Sequence, residues 1–393
     1  MNSKIEISQS FSVDYSYSIY FTHSVFDKEN TLLHRFLSSM TTPDVSGKIL
    51  FVIEQSIANN YPELKKKITD YFSANNWNGD VFVEITEFPS GEKGKKVDIL
   101  EDICSIFYKY RLCRSSFVGI IGGGAFHDII GFAASLVHRG VRQVRFPTTT
   151  LSQCDSGVGV KTGVNLFENK NYLGTFAPPV AVFNDFDFLE TLHYRDWIAA
   201  IPEAMKVAIL RDANFYNYIL SNDKGLSERN SDIIEAIIQQ SATLHFEHIA
   251  TSGDPFEFGN ARPLDFGHWA AHKLEMLTNG AVRHGEAVGI GLLIDLFYAE
   301  KMGYIEKTVL DNVISFLKKI KLPIFDNALL KYDLNGNLLI LKGIEEFREH
   351  LGGKLHITMP KGIGNKIEIH AIDSTIIKEA IEFLRRSQNE NIG

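Results

Sequence analysis

Apolar runs and amphipathic stretches alternate along the first half of the chain. Short apolar runs bounded by polar residues or glycine are typical of buried strands, and apolar residues every three to four positions are typical of helices. Strands are predicted at Lys48–Ile53, Val81–Ile85, Ser116–Ile121, Val144–Phe146 and Val180–Phe183, and helices near Pro62–Ala74, at Val97–Tyr110 and from Asp128 onward. This alternation predicts a mostly parallel sheet with helices on both faces.

After about Arg195 the periodicity becomes helical. Helices are predicted at Trp197–Tyr218, Ser231–Ala250, Gly267–Thr278, Glu286–Lys301 and Thr308–Ile320, with a short β element near Lys354–Pro360 and Lys366–Ile369. We therefore predict an α/β domain over residues 1–195 and a mainly helical domain over residues 196–393. The cleft between two such domains is where a site is expected.

Composition narrows the class of protein. The chain has 393 residues, 45% of them hydrophobic, and a net charge of −8, which argues against a nucleic-acid partner. Its apolar runs are too short and interrupted to span a membrane, and its first residues lack the apolar core of a signal peptide. The three cysteines are few and show no metal-ligand spacing, which favours a reduced, cytoplasmic setting. Together with the charge and the short apolar runs, this leads us to expect no membrane or nucleic-acid partner.

Three glycines, Gly122, Gly123 and Gly124, separate a predicted strand from a predicted helix. Glycine lets the backbone approach a phosphate, and the start of a helix offers free N–H groups. A plain tight turn would use glycine as well. Glu54 ends an earlier strand, where it is placed to accept a ribose hydroxyl. The strict G-x-G-x-x-G pattern is absent, so an ordinary Rossmann dehydrogenase is not indicated.

Four residues of the second half could bind a metal. Glu203 lies in a helical stretch, His268 and His272 share one helix face, and His284 begins the next helix. A glutamate three residues before a lysine is often a surface ion pair, and a single histidine is often a core residue. Two imidazoles and one carboxylate suit a catalytic zinc site. Spacing leaves open which three of the four are ligands.

A polar, glycine-rich stretch shows neither helical nor strand periodicity; it comprises Phe146–Thr150 and Asp155–Asn165 and is followed by Asn169–Asn171. Its Lys161, Lys170 and Asn171 are suited to contact a phosphate. The alternative is a solvated loop, and the Walker A pattern is not matched.

Taken together, these motifs resemble the dehydroquinate synthase superfamily, the sugar phosphate cyclases. The collinear matches are Gly122–Gly124 with Asp128 and Gly131-Phe132, Arg139-Gly140 with Pro147–Thr149, Asp155–Asn165, Glu203 with Lys206, Phe266–His272, and His284–Val288. The resemblance implies a Rossmann-like NAD-binding domain, a helical metal-binding domain and a homodimer. It also implies a lyase that oxidises a phosphorylated sugar transiently with NAD, eliminates phosphate and closes a ring by an intramolecular aldol step.

The resemblance also assigns residues. It implies that Glu203, His268 and His284 bind Zn²⁺ or Co²⁺. The implied NAD positions are Glu54, Glu92, Lys95, Gly123, Gly124, Asp128, Thr148, Thr149, Asp155, Lys161 and Lys170. The implied substrate and catalytic positions are Lys161, Lys206, His272, Asp155, Asn171, Asp265, Arg262 and Lys361.

Several positions depart from dehydroquinate synthase itself. The family's arginine seven residues before the first metal histidine is Ala261, its asparagine three residues before is Asp265, and its upstream lysine is missing from His245–Ala250. These changes disfavour a carboxylate substrate, so we predict a phosphorylated sugar other than the shikimate-pathway substrate. The chain looks most like the EboD-type, dehydroquinate synthase-like branch.

Three other functions are also compatible with the sequence. They are a true 3-dehydroquinate synthase, a metal-dependent polyol or glycerol dehydrogenase of the same architecture, and a non-catalytic ligand-binding homologue. A dehydrogenase would release NADH, whereas a cyclase shows no net reduction of the cofactor.

Overall fold

The computed structural model describes residues 6–41, 47–167, 169–252, 254–256, 265–350 and 353–389. Its largest sheet has six parallel strands in the order β1-β8-β5-β4-β2-β3. These are β1 (Ser18–Thr22), β2 (Gly47–Ile53), β3 (Gly79–Ile85), β4 (Phe117–Gly122), β5 (Arg142–Pro147) and β8 (Ala181–Asp185). The central strand β4 is buried at every position, as expected for a parallel sheet covered on both faces.

Helices cover both faces of this sheet. They are α1 (Leu32–Ser39), α2 (Gln55–Asn60), α3 (Leu64–Ala74), α4 (Val97–Lys109) and α5 (Gly124–Leu136). Side chains alternate along β2, so Phe51 joins the core on one face and Leu50 joins the core on the other. The predicted strands and helices of this half are found, and α5 begins four residues before the predicted Asp128.

Several elements of this half were not predicted from the sequence. β1 lies near the N-terminus, where no strand was predicted, and its parallel pairing with β8 makes it an edge strand. The polar stretch after Pro147 is not a structureless loop. It contains a π-helical turn at Ser152–Ser156 and a separate antiparallel hairpin of β6 (Lys161–Leu166) and β7 (Asn169–Phe176).

The rest of the chain is mainly helical. Its helices are α6 (Tyr194–Trp197), α7 (Ile201–Arg211), α8 (Ala213–Ser221), α9 (Asp223–Ser227), α10 (Ser231–Thr251), α11 (His268–Leu277), α12 (His284–Lys301), α13 (Lys307–Lys319), α14 (Lys342–His350) and α15 (Ser374–Asn389). A small antiparallel pair, β9 (Ile357–Pro360) with β10 (Lys366–Ile369), packs against them. Among the described residues, no helix is long and apolar enough to cross a membrane.

The predicted single helix Trp197–Tyr218 is interrupted at Asp212. Asp212 has extended backbone angles, and its carboxylate accepts hydrogen bonds from Asn214 N at 2.9 Å and Phe215 N at 3.0 Å. It therefore ends α7 and caps the start of α8, which is the usual role of aspartate at a helix N-terminus.

Candidate active site

Two glycines beside the histidines of α11 and α12 allow close packing, Gly267 against α12 and Gly285 against Ala199, just before α7. Gly267 precedes His268 with φ +79°, a conformation that side chains other than glycine rarely adopt. Gly285 follows His284, and a Cβ there would lie 2.1 Å from the Ala199 carbonyl oxygen. These close approaches bring the first residues of two helices beside α7.

The three residues Glu203, His268 and His284 form one cluster. Glu203 Oε1 lies 3.3 Å from His268 Nε2 and 3.1 Å from His284 Nε2. The ligand atoms of all three lie within 4.8 Å of one another. Ligands of a tetrahedral zinc ion, bound at about 2.0–2.1 Å, are separated by roughly 3.3 Å, so a divalent metal fits with small adjustments.

Hydrogen bonds orient both imidazole rings of this cluster. His268 Nδ1 lies 3.1 Å from the Phe266 carbonyl oxygen, which fixes Nδ1 as the donor and leaves Nε2 as the metal-facing atom. His284 Nδ1 lies 3.1 Å from Glu275 Oε2. A second possible metal group, His272 with Glu275 and His284, shares His284 with the first.

A buried cation lies directly behind the cluster. Lys206 Nζ is 2.5 Å from Glu203 Oε2, and both side chains are almost completely buried. Burial would raise the pKa of Glu203, but Lys206 and His268 hold it well below its usual range. Burial would likewise lower the pKa of Lys206, but Glu203 and Asp155 raise it. The carboxylate is thus ionised and the ammonium is charged.

Asp155 lies beside this pair, at the end of the π-helical turn. Its Oδ1 is 2.9 Å from His245 Nδ1 on α10. Burial would raise the pKa of Asp155, but His245 and Lys206 lower it to about 2, so the carboxylate stays ionised. The buried Arg145 of β5 holds the backbone of the turn, donating to the carbonyl oxygen of Gly159 at 2.7 Å.

His272 and Asp265 complete this region. The His272 ring lies 5.4 Å from that of His268 and 6.0 Å from that of His284, measured between ring centroids. His272 is exposed to solvent. Desolvation of its ring by the surrounding protein is the main cause that lowers its pKa, and the neighbouring His268 and His284 lower it further. The Asp265 carboxylate is near enough to raise the pKa of Lys206, and it also partly offsets the lowering of the His272 pKa.

A second polar network lies at the carboxyl ends of β2 and β4. Glu54 accepts hydrogen bonds from Gly91 N at 3.0 Å and from Gly123 N at 2.9 Å, so its two carboxylate oxygens hold both loops. Lys95 Nζ is buried and lies 2.5 Å from Asp128 Oδ2. The predicted cofactor residues thus form two contacting pairs, Glu54 with Gly123 and Lys95 with Asp128.

The β6–β7 hairpin extends this network. Asn171 Oδ1 contacts Lys95 Nζ, and Asn165 Nδ2 donates to Glu92 Oε1 at 2.6 Å. Lys170, which the family resemblance assigned to the cofactor, lies 2.7 Å from Glu275 Oε1 on the metal side.

The other predicted residues are placed as follows. Thr148 and Thr149 follow β5, and Thr149 Oγ1 lies 2.8 Å from Ser152 Oγ. Gly124 begins α5, and Lys161 is exposed at the start of β6. Lys361 is exposed in the turn between β9 and β10, and no side-chain contact recorded among the described residues joins it to the cluster. Arg262 and Ala261 lie outside the described residues.

Sequence reasoning missed three side chains of this region. Glu275 lies seven residues after His268, on the same helix face, and this spacing was a usable signal. His245 and Arg145 carry no local signal, because their partners Asp155 and Gly159 come from other parts of the chain.

Comparison with known proteins agrees with this architecture. Family models described as 3-dehydroquinate synthase N-terminal and C-terminal match residues 85–199 and 200–337. The 3-dehydroquinate synthase of Caldanaerobacter subterraneus subsp. tengcongensis is 30% identical over 359 residues, covering 91% of this chain and 94% of that protein.

Two solved structures share the fold. One is 2-epi-5-epi-valiolone synthase from Streptomyces hygroscopicus subsp. jinggangensis 5008 with NAD⁺ and Zn²⁺ bound; it superposes with a TM-score of 0.84 at 24% identity, covering 97% of this chain and 99% of that one. The other is 2-deoxy-scyllo-inosose synthase complexed with carbaglucose-6-phosphate, NAD⁺ and Co²⁺, with a TM-score of 0.70 at 20% identity, covering 92% and 95%.

A Rossmann-like parallel sheet joined to a mainly helical half is the fold that this chain shares with these two structures. Among proteins of this fold, this chain belongs to the 3-dehydroquinate synthase family. Family membership confirms the superfamily and the fold predicted from the motifs.

Proposed function

We propose that this protein is a sugar phosphate cyclase. It would oxidise a phosphorylated sugar transiently in an NAD-dependent step, eliminate phosphate and close a carbocycle by an intramolecular aldol step. The observation that carries the proposal is the cluster of Glu203, His268 and His284, with Lys206 2.5 Å behind it. The two structures of the same fold, which hold NAD⁺ with Zn²⁺ or Co²⁺, support it.

The metal cluster fits a divalent ion. Two Nε2 atoms converge on one carboxylate oxygen, and the Phe266 carbonyl oxygen pairs with Nδ1 of His268, which leaves Nε2 facing the metal position. Glu203 Oε2 is buried and, within the described part of the chain, accepts no hydrogen bond of good geometry although Lys206 Nζ is close. Glu203, His268 and His284 would therefore hold Zn²⁺ or Co²⁺.

The glycine turn fits the phosphates of a dinucleotide. A Cβ at Gly123 would meet nothing nearer than Thr149 Cγ2 at 3.6 Å, so there is room above the backbone at the start of α5. Nearby, Thr148 Oγ1 is buried and has no hydrogen-bond partner among the described residues. When bound, NAD would exchange a hydride with the substrate and the metal would polarise a substrate oxygen.

The chain's own residues would handle charge and protons. Lys206 and Lys161 would neutralise the phosphate, whose charge persists as it leaves, and Asn171 would bind it as an uncharged amide donor. His272 has a lowered pKa and is neutral near pH 7, so its ring can form a hydrogen bond with a substrate hydroxyl in the proton-transfer region. Asp155, ionised and held by His245, would orient the reacting sugar.

The substrate side of the cleft favours a sugar without a carboxylate. Asp265 stands where the family pattern has asparagine, and it adds negative charge near Lys206 and His272. His245 occupies the region where the family's lysine is missing, and its Nδ1 is already engaged by Asp155. Compared with the family pattern, a substrate carboxylate would meet one additional anion, Asp265, and would lack one lysine partner.

The test is a screen of phosphorylated ketoses for phosphate release, using purified protein with Zn²⁺ or Co²⁺ and a catalytic amount of NAD⁺. We expect phosphate and a carbocyclic product identified by mass, with no accumulation of NADH. Steady NADH accumulation from a simple polyol would instead support a dehydrogenase. Full metal and NAD⁺ occupancy without turnover of any sugar phosphate would support a non-catalytic homologue.

A true 3-dehydroquinate synthase is the second candidate, because the relative at 30% identity carries that name. The same screen, run with the seven-carbon 2-keto acid phosphate of the shikimate pathway, separates the two. Turnover at an efficiency typical of metabolic enzymes, about 10⁴ M⁻¹s⁻¹ or more, would contradict the proposed substrate class.

The homodimer, the domain division at residue 195 and the EboD-type placement stay predictions.

A further inference from the structure

Two adjacent residues of β7 connect the two halves of the candidate active site. The Lys170 ammonium lies 2.7 Å from Glu275 Oε1, beside the metal cluster. The Asn171 side chain contacts Lys95, in the network near the glycine turn. The side chains of these two neighbouring residues contact different networks, so one short segment of the hairpin reaches both.

On the metal side, Glu275 contacts a proposed metal ligand. Its side chain is only 7% exposed, and its Oε2 lies 3.1 Å from His284 Nδ1. The other ring nitrogen of His284 faces Glu203 at 3.1 Å. A carboxylate on the far nitrogen of a metal-binding imidazole sets its tautomer and orientation and increases its basicity.

On the other side, Asn171 is held firmly. Its N–H donates to Asn165 Oδ1 at 2.9 Å, and its φ of +53° lies in the left-handed region. Lys95, which Asn171 contacts, also pairs with Asp128 at 2.5 Å. The hairpin itself is a separate two-stranded sheet, a unit that is only marginally stable alone. β6 is anchored by Val164 in the buried core and by a backbone hydrogen bond from Asn165 N to the Lys95 carbonyl oxygen at 2.9 Å, whereas β7 is held by its pairing with β6 and by these side-chain contacts.

We propose that Glu275 and Lys170 are positioning residues for His284, and that Lys170 and Asn171 couple retention of the metal to occupation of the dinucleotide pocket. The coupling rests on the proposed function, which places the dinucleotide beside Lys95 and Asp128. A dinucleotide bound beside Lys95 and Asp128 would hold β7 in place through Asn171. This would maintain the ion pair of Lys170 with Glu275 and, through it, the contact of Glu275 with His284. Linkage makes the effect reciprocal: bound metal would tighten dinucleotide binding by the same factor.

The test measures the rate at which Zn²⁺ passes from the loaded protein to an excess of a chromophoric chelator, with and without saturating NAD⁺. In the unaltered protein we expect NAD⁺ to slow release at least about fivefold, the lower end of typical coupling. In Lys170→Met the slowing should fall below about twofold, whereas Lys170→Arg, which keeps the charge, should retain it. Lys66→Met is the matched control, since Lys66 forms an exposed ion pair with Asp70.

A spectroscopic measurement distinguishes positioning from ligation. With Co²⁺ in place of Zn²⁺, Glu275→Gln should still bind one ion per chain but shift the visible absorption bands, because the orientation of His284 changes. Loss of Co²⁺ binding to the level of His268→Ala would make Glu275 a ligand and overturn its positioning role.

The remaining outcomes separate the coupling from the proposed function. If the unaltered protein binds neither Zn²⁺ nor NAD⁺, the proposed function fails and the coupling fails with it. If it binds both, and NAD⁺ leaves the rate of Zn²⁺ release unchanged, the coupling alone is refuted.

Discussion

The affinity of the cluster of Glu203, His268 and His284 for a divalent metal should rise steeply with pH. His284 lies between two carboxylates, with Nδ1 3.1 Å from Glu275 and Nε2 3.1 Å from Glu203. Burial would lower the pKa of His284, but Glu275 and Glu203 raise it to about 10. A metal ion must therefore displace a proton from this ring at any pH below that value.

The magnitude follows from the displaced proton. Each pH unit below the pKa changes the association constant tenfold, so His284 contributes roughly 100-fold between about pH 6.5 and 8.5. This slope is insensitive to the pKa itself, provided that the pKa exceeds about 9, whereas an ordinary imidazole with a pKa of about 6.5 contributes little above neutrality. In the metal-free protein the sign is opposite: the protonated ring stabilises the fold fully below about pH 6.5, and this stabilisation is lost as the pH rises towards 10.

The assay is competition for Zn²⁺ against a chromophoric chelator, whose own protonation is corrected at each pH. Glu275→Gln is the comparison variant, because removal of one carboxylate lowers the pKa of His284 and should flatten the slope above neutrality. An affinity of the unaltered protein that stays constant between about pH 7.5 and 8.5 would refute the reasoning.

Three further predictions concern individual residues. His268→Ala should abolish stoichiometric Zn²⁺ binding measured by mass spectrometry; a normal metal content would refute its assignment as a ligand. Lys206→Ala should leave Zn²⁺ bound, because the ion compensates the charge of Glu203, but reduce phosphate release at least about 100-fold; an unchanged rate would place the phosphate elsewhere. Gly285→Ala should destabilise the protein by about 1–3 kcal/mol or more, since the new Cβ overlaps the Ala199 carbonyl oxygen; thermal unfolding at an unchanged midpoint would contradict that contact.

Local sequence patterns were sufficient for most of the fold. Runs such as Lys48–Ile53 and Ser116–Ile121 are apolar on both faces, which only a covered parallel strand accommodates, and they form β2 and β4. Strands that depend on pairing with another strand, rather than on their own pattern of apolar and polar residues, were not predicted. β1 is a strand because it pairs with β8, and the hairpin of β6 and β7 has an exposed, polar second strand without clear alternation.

For the site, the sequence by itself determined which residue types are available and which share a helix face. Spacing placed His268 and His272 together, but it could not choose between them as metal ligands. The tertiary structure places Glu203 Oε1 close to both His268 and His284 and leaves His272 exposed beside them. It also decided the contacts of Glu275, Lys170 and His245, because their partners come from other elements and meet only when the helices pack.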